Sequence, residues 1–289
     1  MYLEFFGLSE YPFATTCDSR FYFESASHTE ALANMLYTAQ QRKGMVLVTG
    51  EVGAGKTFLG NMLESRLGPG ALTVIVRNPP QSPKQLLRSL AMGAGIDVHR
   101  SADKTVLLEE LERHLARLQV RGRLAVMLVD EAQDLTPTAL EELRLLWNWE
   151  QGGQRLLQIV LIGQPELRDK ILQPKWEPLR QRIVLSYHLG PLSRDETAAY
   201  IRHRLGVASA SGNGCHVEFS PEALAQIHGA TDGIPRLINV LCDNALLTTY
   251  SRDTRRIDED IVRTVLREMT CWDLVAPRSG GGPGAGTAL

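Results

Sequence analysis

Short apolar runs alternate along the first two thirds of the chain with longer segments whose apolar positions recur every three or four residues. Five runs read as strands: Met45 to Thr49, Leu72 to Arg77, Leu124 to Val129, Leu157 to Ile162 and Ile183 to Leu189. Most are apolar at consecutive positions, as a strand must be when helices cover both faces of its sheet. The helical segments open with recognisable caps. Ser82-Pro83 precedes Leu86, Leu87, Leu90 and Ala91, and Thr136-Pro137 precedes Leu140 and Leu143, each a hydroxyl residue followed by proline at the first helical position. Strands and helices in alternation predict an α/β fold around a five-stranded, mostly parallel sheet.

After Leu189 the strand signal stops and four helix-sized segments follow. Ser193-Arg194-Asp195-Glu196 spells a capping box, Ser220-Pro221 opens the second segment, Pro235 begins the third beside Arg236, and Asp258 precedes Ile261, Val262, Val265 and Leu266. These predict a small helical domain, with the boundary near Gly190-Pro191. The expected organisation is therefore an α/β domain over residues 1–190, with 1–27 as an N-terminal segment, a helical domain over 191–272, and a tail over 273–289. That tail is too rich in Gly and Pro to pack, and reads as disordered.

Composition narrows the picture little. The chain has 289 residues, room for one large and one small domain, and its 31 basic and 33 acidic side chains leave a formal charge of -2. No global field attracts polyanions, although a local basic stripe remains open. Cys17, Cys215, Cys242 and Cys271 are scattered and form no CxxC pair, which argues against a zinc site and a disulfide framework. The N-terminus MYLEFFGLSEYPF lacks a basic segment followed by a long apolar one, and no apolar stretch is long enough to span a bilayer. The expectation is a cytoplasmic protein without direct membrane insertion.

Chemistry enters with GEVGAGKTF, residues 50 to 58, set between an apolar strand and a helical segment. It fits GxxxxGK[ST], in which glycines let the backbone wind around phosphates with its N–H groups inward. Gly50, Glu51, Val52, Gly53, Ala54, Gly55, Lys56, Thr57 and Phe58 are the candidate nucleotide-binding residues. Lys56 would reach the outer phosphates, Thr57 would place its hydroxyl on Mg²⁺, and the helix starting near Lys56 would offer its positive end to the anion. The strand LAVMLV then ends in two carboxylates. Asp130 can help hold Mg²⁺ and Glu131 can polarise a water for attack on the γ-phosphate, or the two acids merely cap the next helix. Gln164 follows a third apolar strand, at the end where ligands sit in open α/β sheets; it either senses phosphate and orients water or only makes a turn with Pro165. The cofactors expected are ATP and Mg²⁺.

Together with the helical segment behind them, these motifs resemble the AAA+ ATPases. The resemblance implies a P-loop NTPase core followed by a small helical lid. Lys56 and Thr57 then correspond to Walker A, Asp130 and Glu131 to Walker B, and Gln164 to sensor 1. Arg236 in GIPRLIN matches the sensor 2 arginine, and Arg182 in PLRQRIVLSYHLGPL sits where the family places its arginine finger, with Arg180 as the rival. A finger supplied across a protomer boundary implies self-association into a ring or filament. For each arginine a solvated surface position is the alternative.

A closer likeness runs over residues 1 to 270. MYLEFFGLSEYPF, SHTEALANMLYTAQQRKGMVLVTGEVGAGKT, VDEAQDL, QIVLIGQPEL, LRQRI and YHLGPLSRDETAAYIRHRL resemble the ExeA-type, general secretion pathway A group of bacterial AAA+ ATPases. That group implies a cytoplasmic ATPase serving assembly of an envelope secretion complex, hence a protein partner that is a membrane secretion component. Full-length members continue into a membrane span and a peptidoglycan-binding region, so this chain is read as either a stand-alone relative or a fragment. Where the group tends to carry Thr-Pro-Asp-Pro, this chain has Thr16-Cys17-Asp18-Ser19. Phe5, Phe6 and Phe13 either line the adenine pocket or pack in the core.

Two other functions compete. The same branch resembles DNA transposition regulators, and Arg113, Arg117 and Arg121 would form a stripe on a helix from Asp103 onward that could touch the phosphates of duplex DNA. Glu109, Glu110 and Glu112 on that helix point instead to a solvated face with internal ion pairs. The third reading is a scaffold locked by ATP, with Trp149 as the better candidate for a partner surface and Trp147, four residues after Leu143, as core.

Overall fold

The computed structural model describes residues 2–15, 18–209 and 215–270. The expected tail over 273–289 lies outside the described residues, as do Cys17 and Cys271. The chain divides into two compact units, one formed by Cys17–Pro191 and the other by Met1–Thr16 with Leu192–Leu289. The helices in chain order are α1 Tyr2–Phe6, α2 Ala26–Gln40, α3 Lys56–Leu67, α4 Pro83–Gly93, α5 Lys104–Val120, α6 Pro137–Trp147, α7 Pro165–Leu172, α8 Glu177–Arg180, α9 Arg194–Ala208, α10 Pro221–Thr231, α11 Pro235–Ser251 and α12 Glu259–Thr270.

The larger unit is built on five parallel strands: β1 Met45–Gly50, β2 Ala71–Val76, β3 Leu124–Val129, β4 Gln158–Gly163 and β5 Ile183–Leu189. Their order across the sheet is β2-β3-β4-β1-β5. The three inner strands explain the unbroken apolar runs. Val46, Val48, Val126, Leu128, Val160 and Ile162 face α2 and α3 in one core layer, while Met45, Leu47, Ala125, Met127, Ile159 and Leu161 meet α4, α5, α6 and α7 in the other. Both faces of each strand are thereby buried between helices. The edge strand β5 departs from that pattern, with exposed positions alternating along it until Leu189. The caps form as the sequence spells them: Ser82 accepts from the Gln85 amide at 3.3 Å and Thr136 from the Ala139 amide at 3.2 Å.

The smaller unit holds α9 to α12, and Ser193 and Glu196 close a reciprocal capping box at the start of α9. It also contains a two-residue parallel strand pair, Glu218–Phe219 with Arg256–Ile257, which the helix-only expectation missed. A larger correction concerns the N-terminal segment, expected over 1–27 within the α/β domain: residues 17–27 stay with the sheet, while Met1–Thr16 groups with the helical unit. Phe6 and Phe13 are buried there, Phe5 packs edge-on against Tyr250, and the Tyr2 hydroxyl donates to Asp243 at 2.6 Å. Buried Arg204 on α9 donates through Nε to Pro12 O at 2.5 Å and through Nη2 to Ala14 O at 2.9 Å. The helical bundle gains both core and main-chain hydrogen-bond partners from that segment.

Candidate active site

The loop that leaves β1 is shaped by its main chain. Gly53 and Gly55 have φ of 86° and 95°, in the left-handed region, and the helix α3 begins directly at Lys56. Gly55 is doubly constrained, because a Cβ there would also lie 2.8 Å from Nε2 of His28. His28, buried on α2, holds the loop from behind. Its Nε2–H donates to Ala54 O at 3.1 Å, since a carbonyl can only accept, which leaves Nδ1 to accept from the Ser25 hydroxyl at 2.6 Å. Lys56 is buried, and its ammonium donates to Gly50 O at 2.8 Å and Glu51 O at 2.9 Å. A buried cation that donates to loop carbonyls can exchange them for the oxygens of an anion without becoming unpaired.

Two motifs that lie 73 residues apart meet at the next residue. The Thr57 hydroxyl donates to Oδ2 of Asp130 at 2.7 Å, while Oδ1 of Asp130 accepts from the Glu131 amide at 3.0 Å. Asp130 is buried at the end of β3, where its own amide bonds to Val76 O across the sheet. A hydroxyl and a carboxylate side by side form a hard-oxygen donor pair. Among the described residues no group of three or more His, Cys, Asp or Glu side chains could hold a metal ion. This donor set fits Mg²⁺, which is commonly held through one carboxylate, waters and substrate phosphates rather than in an all-protein cage.

Glu131 follows with φ 53° and ψ 40°, a left-handed conformation unusual for a side-chain-bearing residue. Its Oε2 accepts from Gln133 Nε2 at 2.8 Å and from Gln164 Nε2 at 3.5 Å. Gln164, at the end of β4, is thus brought to Glu131, but mainly through its main chain, whose amide donates to Oε1 of Gln133 at 3.0 Å. Gln133 and His28 both lie in stretches compared with known ATPases, yet neither residue type carried a spacing signal that would single it out. Tyr22 was missed as well. It stacks on Phe58 with ring centroids 5.6 Å apart, and burial pushes its phenol up to about 12.

The arginine candidates are placed elsewhere. Arg182 accepts through its carbonyl from the Met45 amide at the start of β1, so it sits at the amino end of the sheet. A strand of this length separates it from the loop by roughly 17–20 Å. Its guanidinium donates to Pro178 O and lies 5.5 Å from the Trp147 ring, while Arg180 donates to Leu172 O at 3.1 Å. Neither reaches the loop of its own chain. Arg236 belongs to the helical unit, exposed in the first turn of α11. Of the arginine stripe, Arg113 pairs with Glu110 at 2.5 Å, and Arg121 caps the end of α5 with its amide on Arg117 O. Trp149, expected at a partner surface, packs with Trp147 against the core beside α6.

Comparison with known proteins agrees with this architecture. Residues 39–171 match the family model described as AAA domain. The General secretion pathway protein A of Aeromonas hydrophila is 42% identical over 258 residues, which cover 89% of this chain and 46% of that protein. The chain therefore spans less than half the length of that relative. Among solved structures, the Aeropyrum pernix ORC2 protein in its ADPNP-ADP complexes superposes with a TM-score of 0.65 at 17% identity, covering 90% of this chain and 72% of that one. The Thermotoga maritima RuvB Holliday junction branch migration motor gives 0.58 at 18%, covering 86% and 70%. At such identities these two likenesses speak for the fold alone. No helix among the described residues is long and apolar enough to cross a membrane.

Proposed function

We propose, from the match of residues 39–171 to the family model described as AAA domain, that the protein is a Mg²⁺-dependent ATPase whose nucleotide cycle drives assembly or remodelling of a partner. The observation that carries the reading is the 2.7 Å contact between Thr57 and Asp130, with Glu131 next in sequence and Lys56 one residue before Thr57. It joins a phosphate loop to a candidate water activator at one end of one sheet. ATP would lie in the loop between Gly50 and Phe58, with the inward amides and Lys56 on its β- and γ-phosphates. Bound at Thr57 and Asp130, Mg²⁺ would neutralise charge that builds on the phosphate oxygens. Glu131 would orient and deprotonate the attacking water, and Gln164 would stand beside it at the γ-phosphate.

The arginines fit the same scheme in an assembly. Because Arg182 and Arg180 lie at the far end of the sheet from their own loop, one of them would serve a neighbouring copy as its arginine finger, which calls for a ring or filament. Arg236 would contact the nucleotide from the helical lid. The identity to General secretion pathway protein A supports a cytoplasmic ATPase acting on a membrane secretion component. The test is Glu131→Gln. It should keep ATP affinity and lose turnover by ~10²–10⁴-fold, the span of general-base contributions. Full turnover in that variant would sink the proposal. Retained cellular function without turnover would favour the scaffold, and a salt-sensitive rise in rate on adding duplex DNA would favour a DNA-directed role.

A further inference from the structure

We infer that Gln133 is the positioning residue that aims the Glu131 carboxylate, and that it couples this carboxylate to the end of β4 through the Gln164 peptide. The inference rests on the ATPase reading above and adds a residue to it. Three observations carry it. The first is that the orientation of the Gln133 amide is dictated by its surroundings. The Gln164 main-chain N–H can only donate, so the group 3.0 Å from it must be the Gln133 carbonyl oxygen, and the NH₂ must then face Glu131 Oε2, at 2.8 Å. The second is that room for this side chain has been left on β4. A Cβ on Gly163 would lie 2.8 Å from Gln133 Oε1. The third is that the turn carrying both residues is pinned from outside. Lys170 on α7 donates to Gln133 O at 2.5 Å and to Leu135 O at 3.0 Å.

Those contacts make Gln133 a short rigid link. One end of its amide holds the carboxylate, the other holds the peptide that leaves β4, and the backbone between is fixed by Lys170. The Glu131 carboxylate is held by side-chain amides, and rates of proton abstraction fall steeply when the base is misplaced by as little as 1 Å. The Gln164 side chain, 3.5 Å from the same oxygen, is the weaker partner. A shift of the Gln164 peptide on phosphate binding would therefore reach Glu131 through Gln133.

The experiment measures steady-state ATP hydrolysis and binding of a fluorescent ATP analogue for the whole chain carrying Gln133→Ala, Gln133→Glu, Glu131→Gln and the Gln133→Ala/Glu131→Gln pair. Gln133→Ala should lower kcat by ~10–100-fold while KM and analogue affinity stay within about twofold. Gln133→Glu keeps the length and the acceptor for Gln164 but sets a second carboxylate against Glu131, and should lower kcat at least as far. In the Glu131→Gln background, Gln133→Ala should cost nothing more, because no carboxylate remains to be aimed. A kcat within twofold of wild type in Gln133→Ala, a loss expressed in KM, or losses that multiply in the pair would each overturn the inference. Should the alanine variant fail to fold, wild-type kcat in Gln133→Glu would overturn it alone. If the unaltered chain does not turn over ATP, or if Glu131→Gln is fully active, the ATPase reading itself has failed, which is a different result from an inactive Glu131→Gln beside an unaffected Gln133→Ala.

Discussion

The loop after β1 and the turn after β3 both leave the carboxyl ends of strands in one sheet, on either side of β4, yet they are made of different materials. The loop is a main-chain device: left-handed glycines at 53 and 55, carbonyls of Gly50 and Glu51 on Lys56, and a histidine behind that meets it at the Ala54 carbonyl. The turn is a side-chain device, with Glu131, Gln133, Gln164 and Lys170 each held by a specific polar contact. A surface of peptide groups suits a ligand that is to be enclosed, because its donors are fixed by the fold. A group that must act on a reacting atom needs aim instead, and aim is supplied by neighbouring side chains. Binding and turnover should therefore separate cleanly between the two regions.

The largest effect expected is that of Lys56→Ala. Losing charge-assisted hydrogen bonds to phosphate, each worth about 1.5–3 kcal/mol, should weaken ATP binding ~10²-fold or more, read by analogue titration. Affinity within threefold of wild type would mean that the peptide cradle suffices without its cation. Next comes Gly55→Ala, which forces an alanine to φ 95° and against His28. At about 1–2 kcal/mol for the left-handed backbone, affinity should fall roughly 5–30-fold. The turn gives a contrasting result. Gly163→Ala intrudes on Gln133 and Leu167, not on the loop. It should lower kcat about tenfold and leave analogue affinity unchanged, and a loss of affinity instead would dissolve the distinction between the regions.

That difference of materials also decides what could be read from the sequence. The inner strands were legible because burial on both faces writes itself as unbroken apolar runs, and the five observed strands lie within a residue or two of the expected ones. The phosphate loop was legible because wrapping an anion restricts residue type at fixed spacing. Gln133 stands inside a quoted motif and escaped notice, since its partners, Gln164 and Lys170, are set by how α7 packs beside the turn rather than by any local period. The first sixteen residues were placed with the wrong unit for a related reason. Their aromatics announced burial, but nothing in residues 2–15 named Arg204 or Asp243 as the groups they would meet. Arg182 shows the opposite limit. Its position in sequence suggested a role, while only the register of β5 against Met45 reveals that it stands at the far end of the sheet.

Lys170 tests how much of the turn's aim comes from its backbone. Its ammonium satisfies the carbonyls of Gln133 and Leu135, two acceptors in the irregular stretch after Glu131. Lys170→Met keeps the aliphatic stem on the surface of α7 and removes only the charge-assisted donors. Water can reach a half-buried position and replace part of what is lost, so the cost should be about 1 kcal/mol rather than the full worth of two bonds. A 1 kcal/mol change read as a shift in the midpoint of thermal or denaturant unfolding would measure it. The chemical consequence should be smaller than that of altering Gln133, about a twofold to fivefold drop in kcat with unchanged ATP affinity, because the amide contacts of Gln133 persist while the turn beneath them loosens. If Lys170→Met reduced kcat as far as Gln133→Ala, the pinned backbone rather than the glutamine would be what aims Glu131, and the turn would resemble the phosphate loop more closely than its side chains suggest.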